Sequence, residues 1–385
     1  MPATEGALAG TRVVEVGHYV AGPQCAQILA DHGADVIKVE PPGGERGRQA
    51  APVHDGASLY FAANNRAKRS ITLDMGDASG QEVLHRLLST ADALVTNYTP
   101  ATADRLGLAH DTLLALNPRL VIVHITGFGL SSARSDWVAY DGVIQAMSGL
   151  ADRTGEGDGP PTVSGVYVAD QVTALQAAIG VLLGLSARSR TGEGQVVDVA
   201  MLDAMLPLMS HFVGLAAAGI PAPPRSGNTL PTAFSDLYAT TDGWVYIAPV
   251  APAMWHRFAA ALGHPEWSDA ETASPGWRMQ ARTELNAAIA EWAAGRTATE
   301  AAEYLQSHGI AAGPARAIAD LVTDPDAAPR SQITHMTYAG VPGIATPGVA
   351  AKLSATPAPT AGRSAPEAGE HTQEILTELG LQEPR

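Results

Sequence analysis

The chain has 385 residues, 46% hydrophobic and 16% charged, enough for a sizeable core and two lobes and too apolar for a long disordered tract. Its formal net charge of -15 argues against nucleic acid and anionic membranes as partners, so a phosphate-bearing ligand needs a locally basic site. The lone cysteine, Cys25, excludes an internal disulfide and a multi-cysteine metal site, and no metal is expected; it points to a reducing, cytoplasmic setting. Residues 1–10 lack the charged and apolar regions of a signal peptide. The only lysines are Lys38, Lys68 and Lys352, so Lys38 and Lys68 are the first candidates for a phosphate contact.

In chain order, residues 12–16 read as a buried strand, 22–32 as a helix and 35–40 as the next strand. This βαβ unit implies parallel strands. The pattern repeats with strands at 69–73, 93–96 and 120–126 and helices at 80–90 and 102–106. Residues 172–188 read as a long helix, with Leu175, Ile179, Leu182 and Leu183 near helical spacing. The apolar run stops at Arg188 and Arg190, so no stretch is expected to reach the length of a membrane span. A turn at 191–194 and a strand at 195–199 follow.

Residues 219–231 hold four prolines and two glycines and read as a linker. Beyond them, 237–250 suggests a β-hairpin around Thr241-Asp242-Gly243, and 252–262, 279–292 and 298–308 read as helices. A Pro-, Ala- and Thr-rich arm at 356–364 leads to a last helix at 370–379.

The turn from Glu15 to Pro23 follows a strand and precedes a helix, yet it lacks G-x-G-x-x-G, which argues against a dinucleotide cofactor. There is no G-x-S-x-G elbow and no H-E-x-x-H. His124, inside an apolar strand, reads as a core histidine. Asp170 stands just ahead of the long helix. Its plain reading is a helix N-cap. A carboxylate there is also stabilised by the helix dipole, which would keep it ionised and fixed for use as a nucleophile.

The ordered blocks LADHGADVIKVE, YFAANNRAKRSITLD, ADALVTNYTPATADRLGL, NPRLVIVHITGFG, YDGVIQAMSGL and TGEGQVVDVAMLD resemble the class III CoA transferases nearly from end to end. That family includes formyl-CoA and carnitine-CoA transferases and the related alpha-methylacyl-CoA racemases. The resemblance implies an α/β fold: a Rossmann-like parallel-sheet CoA-binding domain over 1–215, rejoined by 340–385, with a smaller α+β domain over 228–335. It implies an interlocked homodimer, acyl-CoA and a carboxylic acid as substrates, and no cofactor beyond coenzyme A. Asp170 matches the catalytic aspartate that forms an aspartyl-CoA thioester, with backbone N–H groups expected to stabilise the oxyanions. Asn97, Tyr98, Arg105 and Leu73 match CoA contacts, and Val20 replaces a glutamine near the acyl group. Formyl and oxalyl groups therefore fit less well than larger or more apolar ones. Racemases carry a His-Asp pair where this chain has Tyr140-Asp141, and an asparagine where it has Val166. A base is needed on each face of the carbon for racemisation, and tyrosine is a poor base, so transfer is favoured over the racemase or epimerase alternative.

Overall fold

The computed structural model describes residues 6–229, 234–269, 274–359 and 363–381. Leu230 and Pro231 of the expected linker, and residues 360–362 of the expected arm, lie outside them. The chain divides into two compact units. The first comprises Met1–Leu150, Val163–Gly214 and Pro325–Arg385, and the second Ala151–Thr162 and Leu215–Asp324. The second thus includes a short segment, Ala151–Thr162, that the sequence reading left in the large domain.

In the first unit β1 (Arg12–Val16) leads through α1 (Ala21–Asp31) to β2 (Asp35–Glu40), then α2 (Leu59–Asn65) and β3 (Arg69–Thr72). The chain continues with α3 (Ala78–Leu88), β4 (Ala93–Thr96), α4 (Pro100–Arg105), α5 (His110–Leu116) and β5 (Val121–Thr126). After α6 (Asp141–Met147) and the long α7 (Val168–Thr191) come β6 (Gln195–Ala200) and α8 (Met201–Ala217), which is kinked at Ser210. The six strands are parallel, in the order β3-β2-β1-β4-β5-β6. Successive residues of β1 feed opposite cores. Val13 packs with α1 and α7, and Val14 and Val16 pack with Leu84, Leu87 and Leu376. A sheet covered on both faces accounts for its nearly unbroken apolar strands.

The helix at α7 is longer than its sequence signal, at 24 residues, and its mean hydropathy over 18 residues is 1.5. It therefore does reach the length and apolarity of a membrane span, which corrects the expectation for 172–188. Its inner face holds Ala174, Ala177, Ala178 and Val181 in the core. A Cβ at Gly184 would meet Val121 Cγ1, and one at Gly180 would lie 2.9 Å from Val197 Cγ1, so glycine lets the helix lie close on β5 and β6.

The second unit holds β7 (Asp236–Ala239) and β8 (Trp244–Ile247), antiparallel as the hairpin signal implies. It adds α9 (Pro252–Leu262), α10 (Pro275–Gln280), α11 (Arg282–Ala294), α12 (Ala298–Ser307) and β9 (Ala312–Pro314), around a core of Trp255, Phe258, Val245 and Ile289. The single helix expected at 279–292 is two helices that meet at Ala281. The chain then re-enters the first unit through the hairpin β10 (Ile333–Tyr338) and β11 (Val341–Pro347) and ends in α13 (Thr372–Glu378). Ile375 and Leu376 of α13 are fully buried, and Arg12 and Arg69 bind its Glu378.

Candidate functional site

Strand order reverses between β1 and β4, whose chains depart to opposite sides of the sheet. In such sheets the carboxyl ends of the strands at the reversal open a crevice for ligands. Here the turn after β1 is tied to the turn after β4 by one side chain. Asn97 Oδ1 accepts from His18 N at 3.0 Å and Asn97 Nδ2 donates to His18 O at 2.9 Å. The next residue, Tyr19, has φ 64°, and its N–H donates to Glu45 Oε2 at 3.3 Å. A Cβ on Gly17 would sit 2.8 Å from Asn97 Oδ1, so this close approach requires glycine.

Beneath the turn lies a closed charge network. Glu15 accepts from Lys38 at 2.6 Å and from Lys68 at 2.7 Å, and all three side chains are fully buried. Lys38 also donates to Gly17 O, and Lys68 to Pro23 O, Asn64 O and Asn65 Oδ1. Burial pushes Glu15 up, but Lys38 and Lys68 outweigh it and hold the carboxyl below its usual range. Burial likewise opposes the charge on Lys38, and Glu15, Glu45 and Glu40 outweigh it, so Lys38 stays protonated. Burial brings Lys68 down to about 8, despite Glu15. The expectation that Lys38 or Lys68 meets a phosphate is corrected here. Their ammonium groups face inward and are spent on Glu15 and backbone carbonyls. Leu73 is corrected too: it is 4% exposed, packed in the core with Ile375 and Leu376, and absent from the cavity wall.

Above the turn opens a cavity of about 1050 Å³. Val20, Asn97, Tyr98 and Arg105 stand on its wall, and so do Tyr140, Asp141 and Asp170. The sequence reading did not single out Arg46, which also lines it. Arg46 and Arg105 are exposed, and among the described residues neither side chain has a hydrogen bond or ion pair. They place two positive charges on the cavity wall of an otherwise acidic protein. The signal for Arg46 is its place in the Gly-rich loop that follows β2, Pro41-Pro42-Gly43-Gly44-Glu45-Arg46-Gly47-Arg48. His18, on the same wall, is driven down to about 4 by burial and by Lys38 and Arg46, so it is neutral. His124 is a core histidine. It is 1% exposed, and its ring nitrogens pair with His110 and with Tyr98 O.

Asp170 does not cap its helix. The N-cap of α7 is Tyr167, and Asp170 is the third helical residue. The cap comes from another helix: Asp141 Oδ1 accepts from Ala169 N at 2.7 Å and Asp170 N at 3.2 Å. Val168 N donates to Val166 O and Gln171 N to Tyr167 O, so the first turn of α7 has no amide left for an oxyanion. Among the described residues the Asp170 carboxylate accepts no hydrogen bond. Burial, with the Asp141 charge beside it, pushes it up to about 7. This reverses the expectation of a carboxylate held ionised by its helix: desolvation and a like charge outweigh the dipole. A carboxylate without donors, half ionised at neutral pH and open to a cavity, is equipped to attack a carbonyl carbon.

Residues 8–372 match the sequence profile of CoA-transferase family III. The chain belongs to that family. It is 35% identical over 381 residues to succinyl-CoA--D-citramalate CoA-transferase of Chloroflexus aurantiacus, covering 97% of this chain and 94% of that protein. To formyl-CoA:oxalate CoA-transferase of Rhodopseudomonas palustris it is 34% identical, covering 97% and 93%. A crystal structure of a CAIB/BAIF family protein from Brucella suis superposes with a TM-score of 0.86 at 33% identity, covering 97% of this chain and 100% of that one. This family III CoA-transferase is therefore an enzyme that handles CoA thioesters, and its cavity lies at the reversal point of a Rossmann-like sheet.

Proposed function

We propose that the enzyme moves CoA from an acyl-CoA donor to an acceptor carboxylic acid through a thioester on Asp170. The observation that carries this reading is the Asp170 carboxylate itself: half-buried, without a hydrogen-bond donor among the described residues, on the wall of a cavity large enough for the reacting end of a CoA thioester. Ionised Asp170 adds to the thioester carbonyl, the C–S bond breaks, and CoA leaves as thiolate from a mixed anhydride. The thiolate then attacks the Asp170 carbonyl, releasing the donor acid as carboxylate and leaving aspartyl-CoA. The acceptor carboxylate attacks that thioester and again expels thiolate. Attack of the thiolate on the acceptor's acyl carbon yields the new acyl-CoA and returns Asp170 to its ionised form. Each step exchanges one acyl bond for another, so no ATP, metal or redox cofactor enters the balance. Arg46 and Arg105 hold the phosphates, and Asn97 holds the turn that forms the floor.

Val20, Val163 and Val166 on the cavity wall support a larger or more apolar acyl group over formyl or oxalyl. Tyr140 and Val166 at the racemase positions support transfer over racemisation. We also propose a homodimer. Leu175, Ile179, Leu182 and Leu183 form an exposed apolar face on α7, at 54, 48, 45 and 64% exposure, which a second copy would cover. A stable folded monomer at micromolar concentration would contradict this. For the reaction, the test is intact mass after acyl-CoA is added, with hydroxylamine trapping. The expected result is an adduct that maps to Asp170, and a wild-type enzyme that turns over without one would sink the mechanism.

A further inference from the structure

An aspartate in the first turn of a helix normally finds an amide to accept from. Asp170 finds none because Asp141 has taken the amides of Ala169 and Asp170. Asp141 is in turn held by Gln145, one turn further along α6, whose Nε2 donates to Asp141 Oδ2 at 2.5 Å. The other contacts of Gln145 reach the segment that leads into the nucleophile. Its Oε1 accepts from Ser164 N at 2.7 Å, and its Nε2 lies 3.3 Å from Val166 O. Gln145 is 0% exposed, and among the described residues these are the hydrogen bonds of its side chain.

We propose that Gln145 is a positioning residue for the nucleophile: it grips residues 164–166 with both ends of its amide and keeps Asp141 on the first turn of α7, leaving the Asp170 carboxylate uncapped. The inference rests on Asp170 being the nucleophile. Opposite a carboxylate at position 141 an amide fits the role, because it donates to that carboxylate and accepts from a backbone N–H in one plane. Were Asp141 released, Asp170 would become the acceptor for those amides, and a carboxylate engaged with N–H donors is a weaker nucleophile. The other titratable and charged groups here are Tyr60 of α2, Tyr140 beside Asp141, Tyr167 at the start of α7, and Tyr19, Tyr98, Glu45, His18, Arg46 and Arg105 around the cavity.

The test is a polarity swap. Gln145→Glu keeps the acceptor for Ser164 but sets a second carboxylate against Asp141. It should lower kcat at least tenfold and move the acid limb of kcat/KM upward by at least half a pH unit, with CoA affinity by calorimetry within twofold of wild type. The double variant Asp141→Asn with Gln145→Glu restores one donor facing one carboxylate and conserves the charge. It should bring kcat/KM back within threefold and return the acid limb. A Gln145→Glu enzyme that keeps kcat within twofold, or a double variant that rescues neither rate nor limb, overturns the proposal while a wild-type adduct at Asp170 leaves the mechanism standing. A wild type with no adduct at Asp170 overturns both. Should Gln145→Glu not be recovered folded, Gln145→Met serves: a tenfold loss of kcat with unchanged CoA affinity supports the role, and kcat within twofold of wild type refutes it.

Discussion

The floor and the wall of the cavity both bury carboxylates, and they treat them in opposite ways. On the floor, Glu15 meets two lysines, and Glu40 meets Arg48 and the Ser70 hydroxyl, so each charge is answered within hydrogen-bonding distance. On the wall, the charge beside Asp170 that shifts it is another acid, Asp141, and among the described residues its carboxylate accepts no hydrogen bond. Charges that hold the turn in shape are neutralised, and the charge placed to react is left uncompensated. The difference separates scaffolding from chemistry: Glu15 and Glu40 are fully buried and paired, whereas Asp170 is partly exposed to the cavity and unpaired among the described residues.

Asp170→Asn breaks the comparison hardest. An amide does not attack a thioester, so transfer should fall by at least about a thousandfold. The same change should stabilise the fold. The folded pKa near 7 lies above the ordinary aspartate value, so the native state binds this proton more tightly than the unfolded chain, and stability drops as pH rises from about 4 to about 7. Asparagine removes that loss. Its gain in unfolding free energy should be on the order of 1–4 kcal/mol at pH 8 and vanish near pH 4. Equal stability of the two proteins at pH 8 would contradict an uncompensated wall.

Glu15→Gln attacks the floor. Two ammonium groups would lose their shared anion inside the core, costing about 3–5 kcal/mol in urea unfolding. If Lys38 or Lys68 served phosphate instead, CoA affinity of the folded variant would change in proportion, and calorimetry distinguishes the two.

Those lysines mark where the sequence was hardest to read. Strands β1 to β5 were legible because apolar runs bounded by glycine, asparagine or proline need no tertiary knowledge. The charge network was not, although a sign was present. Glu15 and Lys38 each interrupt an apolar strand, and in the parallel register they lie directly opposite one another. The scarcity of lysine alone made Lys38 and Lys68 the first candidates for a phosphate contact. The cap was illegible for a related reason. Asp141 sits 29 residues from Asp170 and shares no local pattern with it, so a tertiary contact replaced the local cap that the spacing suggested. Helix α6, with Gly142 and only Ile144 as a fully buried apolar side chain, gave no periodic signal.

A smaller effect sharpens the contrast at the rim. Arg105→Ala and Arg46→Ala should each weaken CoA roughly tenfold, because each removes one of two cations proposed to face phosphate in an acidic protein. The loss should shrink at high salt, since both side chains are exposed. Calorimetry that finds unchanged affinity removes that arginine from the site. The smallest expected effect is none at all. In deuterated water without an acceptor acid, the carbon next to a 2-methylacyl thioester should not exchange, and rapid exchange would favour the racemase reading.

The nearness of Asp141 to Asp170 also has a kinetic meaning. On the proposed route Asp170 is anionic only between turnovers, and as anhydride or thioester it carries no charge. Repulsion from its neighbour is thus relieved on loading and restored on release. The loaded enzyme is thereby lowered relative to the free one, which favours a reservoir that waits for the acceptor. A reservoir of that kind is exposed to leakage by hydrolysis, which makes the apolar lining around it a seal as well as a fit for the acyl group.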